Sequence, residues 1–176
     1  VLDRDNSWEA LVSGGVTALA VPERLGGDGV GIAEIATALT EIGRHGTISP
    51  ALVTLGATAV LLDLAADAQQ DRFLAGVGKG AVLTLALNEP GSQLPERPST
   101  SLADGKLNGT KLAVGYAEQA DWLVVTTDSG VAVVSAQADG VTVAKTPAAN
   151  GSDEYVVTFA DVAVGDDDVL KDATVH

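Results

Sequence analysis

Apolar residues recur at spacings of three and four in the first part of the chain and in short β-type runs further on, and the change falls at a cluster of glycines. Ile32, Ile35, Ala36, Leu39 and Ile42 place one apolar stripe on a helix that ends near Gly43. Leu52, Leu55, Ala59 and Leu62 predict a second helix from about Pro50 to Ala66, and a shorter one follows from about Ala68 to Leu74. Gly76, Gly78 and Gly80 then punctuate the chain.

Beyond Gly80 the runs Val82–Leu87, Leu107–Val114, Trp122–Thr127, Val131–Ser135, Val141–Ala144 and Tyr155–Phe159 read as strands. Asp104-Gly105, Asp128-Ser129-Gly130 and Asp139-Gly140 favour tight turns between antiparallel neighbours. Pro95 and Pro98 interrupt helix and sheet alike, so Gln93–Ser101 is expected to be an irregular loop. The fold class this predicts is α+β, with a partial helical bundle over 1–79 followed by an antiparallel β-barrel or sandwich over 80–170.

Composition narrows the chemistry. A length of 176 residues suits one domain or two small ones sharing an interface. The formal net charge of -14 opposes nonspecific binding to nucleic acid or to an anionic membrane. A polyanionic ligand therefore has to be held by backbone amides or a few placed cations. Cysteine is absent, and His45 and His176 are the only histidines, so no thiolate or His-rich metal site is expected. No apolar run approaches the ~20 residues of a membrane span, and a cytoplasmic location is expected. The chain begins at Val1 and contains no Met, which suits a fragment of a longer protein. Asn108-Gly109-Thr110 and Asn150-Gly151-Ser152 are read as turns, not as glycosylation sites. Gly26–Gly31 superficially suggests a phosphate loop, but no βαβ unit surrounds it.

Several ordered motifs carry a resemblance. Pro22-Glu23-Arg24-Leu25-Gly26-Gly27-Asp28-Gly29 precedes a helix closing on Glu41-Ile42-Gly43-Arg44, and Leu85-Ala86-Leu87-Asn88-Glu89-Pro90 is followed by Leu107-Asn108-Gly109-Thr110-Lys111 and by Phe159-Ala160-Asp161-Val162-Ala163-Val164. In this order they resemble the acyl-CoA dehydrogenases, from about Trp8 to about Leu170. The resemblance implies an N-terminal helical domain over 1–79, a middle β domain over 80–170, and in 171–176 the start of a connection to a C-terminal helical domain. It also implies FAD as cofactor, an acyl-CoA substrate, removal of hydrogens from its α and β carbons, an electron-transfer flavoprotein as acceptor, and a homo-oligomeric or heteromeric assembly.

By the same resemblance Leu87, Asn88, Ser92, Ala113 and Gly115 are the candidate cofactor-binding positions, and Ser92 also faces the thioester ligand. Departures fall among them. Asn88 stands where the family has Thr, Gly91-Ser92-Gln93 is a shortened form of its Gly-Ser-Asp segment, and Ala113, Val114 and Gly115 replace an aromatic, a β-branched residue and a Ser or Thr. Tyr116 is either a surface or hinge residue or a substitute for the lost aromatic. The family's catalytic Glu belongs to its C-terminal domain, so no catalytic residue is assigned here, and Glu89 is expected to fix its own turn. Three readings follow: a dehydrogenase; a noncatalytic or flavin-poor subunit of a heteromeric dehydrogenase, of the kind that acts on steroid side-chain thioesters; and a small acyl-binding or purely structural β protein.

Overall fold

The computed structural model describes residues 4–148 and 151–170. The expected connection at 171–176 lies outside the described residues. Helices α1 (Arg4–Ser13), α2 (Ile32–Arg44), α3 (Ala51–Leu64) and α4 (Asp67–Leu74) precede strands β1 (Leu83–Ala86), β2 (Ser101–Ala103), β3 (Lys106–Gly115), β4 (Trp122–Thr127), β5 (Gly130–Ser135), β6 (Val141–Thr146), β7 (Glu154–Ala163) and β8 (Val169–Leu170). The architecture is α+β, as the hydrophobic pattern predicts.

The strands form two four-stranded sheets, ordered β1-β4-β5-β8 and β2-β3-β7-β6. All pairs are antiparallel except β1 with β4, which run parallel, Leu83 facing Trp122. The β2–β3 hairpin lies between β1 and β4 in sequence, so the chain crosses to the second sheet and returns, and a parallel pairing becomes possible. The expected irregular loop ends at Ser101, where β2 already pairs with β3. Asp104 and Gly105 link these strands with both φ values positive, the geometry of a two-residue type I′ turn.

The apolar runs of β4 and β5 lack alternation because their sheet is covered on both faces. Leu123, Val125, Ala132 and Val134 pack between the two sheets, whereas Val124, Val131 and Val133 pack with Leu61, Phe73 and Leu74 of the helices. In β7 the inward residues Tyr155, Val157 and Phe159 alternate with half-buried or exposed ones, and the second sheet keeps one face towards solvent.

Helix α3 covers the side of β1 away from β4. The Thr54 hydroxyl donates to the Leu83 carbonyl and accepts from the Leu83 amide, both at 3.3 Å, so a side chain satisfies backbone groups at the sheet edge. Helix α4 is tied to the other end of that sheet. Arg72 stacks on Phe73 and Trp122 at 5.1 and 5.5 Å and pairs with Asp168 at 2.6 Å. At the Gly26-Gly27 turn a Cβ on Gly27 would lie 2.1 Å from the Val21 carbonyl oxygen, so this close return of the backbone requires glycine there. Among the described residues no helix is long and apolar enough to cross a membrane.

Candidate functional site

Two clefts meet at Ala113. The smaller, about 360 Å³, is bordered by Asn88, Glu89, Gly91, Ser92, Gln93, Leu112 and Ala113. The larger, about 460 Å³, runs between helices α2 and α3 and the end of β3, with Leu39, Ile42, Leu52 and Val53 on its apolar side and Tyr116, Ser152, Asp153 and Glu154 on its polar side. Ala113 and Gly115 also line this second space.

A β-bulge creates the meeting point. The pairing of β3 with β7 slips between Lys111 and Val114, and Ala113 takes a left-handed φ of 51°. Ala113 is thereby turned outward while Lys111 and Val114 on either side are buried. Leu112 is held by its amide, which donates to the Asn88 carbonyl at 2.9 Å. Opposite, Glu89 and Ser92 exchange backbone hydrogen bonds of 2.9 and 3.0 Å around Pro90 and Gly91, a tight turn that leaves the Ser92 side chain exposed.

Beneath the turn lies a buried ion pair. The Lys111 ammonium donates to Glu89 Oε1 at 2.8 Å, with side chains 0% and 4% exposed. Lys111 also donates to Thr126 Oγ1 at 2.9 Å and to the Leu87 carbonyl at 3.4 Å. Glu89 accepts in addition from the amide and hydroxyl of Ser99 and from the Thr100 amide, at 2.6, 2.7 and 3.0 Å. Burial pushes the Glu89 carboxyl up, but the hydrogen bonds from Lys111, Ser99 and Thr100 outweigh it and hold the group well below the usual carboxylate range. Burial pushes Lys111 down, and Glu89 offsets part of that shift. Glu89 thus fixes its turn, as expected, and also ties together β1's exit, β3, β4 and the segment leading into β2.

The five candidate cofactor positions are distributed unevenly. Asn88, Ser92 and Ala113 face the smaller cleft, and Ala113 and Gly115 face the larger. Leu87 lines neither, and its carbonyl instead accepts from Lys111. Gly115 gives its carbonyl to the Thr84 hydroxyl at 2.6 Å, and a Cβ there would meet Val53 Cγ1 at 3.1 Å. The absence of a side chain at Gly115 is what lets α3 approach this strand. Tyr116 has a φ of 55°, donates its amide to the Asp153 carbonyl at 2.9 Å and lines the larger cleft.

Carboxylates at the larger cleft are engaged. Asp153 pairs with Lys145 at 2.5 Å, and Glu154 accepts from the Ser152 hydroxyl at 3.1 Å. Behind them, Tyr155 is pushed up to about 12 by burial and by its hydrogen bond to Glu118. Glu41 pairs with Arg44 on the exposed side of α2. No cluster of metal-ligating side chains occurs among the described residues. Sequence reasoning missed Lys111 as the partner of Glu89. Its signal was a lysine placed between the inward-facing Leu107 and Val114 of one strand.

The profile of the acyl-CoA dehydrogenase N-terminal domain matches residues 2–81. An acyl-CoA dehydrogenase of Mycobacterium tuberculosis, FadE28, is 65% identical over 177 residues, which cover 100% of this chain and 52% of that protein. This chain belongs to the acyl-CoA dehydrogenase family. It spans about half the length of the curated relatives it matches. The structure of a variant of the Tcur3481-Tcur3483 steroid ACAD superposes with a TM-score of 0.82 at 28% identity, covering 95% of this chain and 49% of that one. The ChsE4-ChsE5 complex from Mycobacterium tuberculosis superposes with a TM-score of 0.81 at 27% identity, covering 98% and 50%.

Proposed function

We propose that this chain supplies the N-terminal helical part, over 1–79, and the middle β part, over 80–170, of a flavin-dependent acyl-CoA dehydrogenase. The observation that supports this best is the convergence of Asn88, Ser92, Ala113 and Gly115 around the bulge where the two clefts meet. The smaller cleft fits the polar part of FAD, since Asn88 and Ser92 offer donors on a rigid turn and Gly91 leaves the backbone open. The apolar side of the larger cleft, made by Leu39, Ile42, Leu52 and Val53, takes the acyl chain. When bound, the flavin supplies the hydride acceptor for the β carbon. Ser92 orients the thioester, and α2 and α3 exclude water from the acyl carbons. We assign the base to no carboxylate described here, because Asp153 and Glu154 are engaged and Glu89 is locked to Lys111. Electrons then pass to an electron-transfer flavoprotein in the cytoplasm.

A second reading is favoured by Ala113 and Gly115, which offer neither ring nor hydroxyl to a flavin. In it the chain is the flavin-poor half of a heteromeric dehydrogenase, with its partner completing the shared site. Because a structural neighbour is named a steroid ACAD, a steroid side-chain thioester is the substrate to try first. The test is anaerobic addition of straight-chain and steroid side-chain acyl-CoA thioesters to the native-length protein, purified with its dehydrogenase-like partner. Bleaching of the flavin absorbance is expected; an assembly that stays oxidised with every thioester contradicts the dehydrogenase reading.

A further inference from the structure

The chain carries 10 basic residues against 24 acidic ones, so a cation without a carboxylate partner is scarce. Among the described residues Arg24, Arg44, Arg72, Lys106, Lys111 and Lys145 each pair with Asp or Glu. The side chains of Lys79 and Arg97 make no ion pair or hydrogen bond. Lys79 borders a different hollow, beside Trp8 and Glu9. Arg97 lies on the segment between Leu94 and Ser99, both of which bond to residues lining the smaller cleft.

The segment that presents Arg97 is fastened at both ends to the floor of that cleft. The Leu94 amide donates to Asn88 Oδ1 at 3.2 Å, and Ser99 gives its amide and hydroxyl to Glu89 Oε2 at 2.6 and 2.7 Å. Pro95 and Pro98 restrict the backbone in between, and Pro98 is buried while Arg97 is exposed. Two residues separate Leu94 from Arg97 and one separates Arg97 from Ser99, so the Arg97 Cα lies within about 11 Å of one tether and about 7 Å of the other. The exposed neighbour Glu96 forms no ion pair with it, and the Glu89 carboxylate is already satisfied.

We infer that Arg97 binds the diphosphate of the nucleotide-bearing ligand that enters the smaller cleft. The inference rests on the dehydrogenase reading, and a diphosphate ester is the chemistry shared by FAD and by CoA thioesters. A planar guanidinium pairs with two phosphate oxygens at once, and Asn88 and Ser92 add neutral donors beside it. In a chain of net charge -14, one uncompensated arginine on a stiffened segment is the local cation that such a ligand needs.

The experiment titrates FAD and CoA separately into the flavin-depleted native-length assembly carrying wild-type chain, Arg97→Gln, Arg97→Lys or Lys79→Gln. Arg97→Gln is expected to weaken one of the two ligands by about tenfold and to flatten the salt dependence of that binding. Arg97→Lys restores part of it, and Lys79→Gln changes neither ligand. A loss confined to FAD places the flavin diphosphate at Arg97; a loss confined to CoA places the thioester there. Unchanged affinity and salt dependence for both ligands in Arg97→Gln would overturn the inference alone. A wild-type assembly that binds neither FAD nor CoA would overturn the inference together with the dehydrogenase reading.

Discussion

The two sides of the β3 bulge are built to opposite standards. On the Asn88–Ser92 side, a buried ion pair, two backbone amides, two hydroxyls and a carbonyl fix one short turn. On the Ala113–Gly115 side the chain presents a methyl group and a bare backbone, and the space is closed by the approach of α3. The turn bordering the candidate site is therefore held firmly while the wall facing it carries almost no side-chain chemistry. A buried network can fix the geometry of a turn whatever faces it, so the fold on this side does not by itself decide the chemistry of the site.

The largest effect expected is from breaking the framework. Lys111→Met leaves the Glu89 carboxylate buried without its cation and should cost about 3–5 kcal/mol in urea denaturation. Combining it with Glu89→Gln removes both charges, and most of that loss should be recovered. If the double variant is as unstable as the single one, the network acts through shape and not through charge compensation.

The pH dependence has the same origin. Because the folded carboxyl of Glu89 lies below its ordinary value of 4.5, its contribution is fully present above that pH and is lost as the pH falls towards the depressed folded value. Acid titration of stability should therefore be flatter below 4.5 in the Glu89→Gln/Lys111→Met variant than in the wild type.

Smaller effects are expected on the other side. Gly115→Ser puts a side chain 3.1 Å from Val53 Cγ1 and should destabilise by roughly 1–3 kcal/mol. Val53→Ala in the same chain should restore part of the loss, since the clash is with that methyl group. Ala113→Gly removes a left-handed alanine from the bulge and should change stability by no more than about 1 kcal/mol, in the stabilising direction. Thermal unfolding of the three variants ranks them directly.

Each expected end of α2, α3 and α4 lies within two residues of the observed one, but only α2 keeps a clear 3.6-residue stripe. Helix α3 is apolar all round, and Leu52 of its expected stripe is exposed while Ala51, Thr54, Thr58 and Leu61 are buried beside Leu55. The strands β4 and β5 were legible as uninterrupted apolar runs, but which residue faces which layer was not, since a sheet covered on both faces erases the alternation. β2 and β8 are three and two residues long, too short to carry a period. At the site, Asn88 and Ser92 could be placed by their motif, whereas the bulge at Ala113 could not. A slip in register depends on the partner strand, and nothing in Leu112-Ala113-Val114 alone announces it.

The most direct measurement is the FAD content of the native-length protein, purified alone and with any dehydrogenase-like chain that co-purifies with it. The flavin-poor reading of Ala113 and Gly115 predicts little flavin on the protein alone and about one flavin for each pair of unlike chains when a partner is present. A flavin on every chain of a stable homomer would contradict it, because Ala113 and Gly115 would then form a complete wall without help.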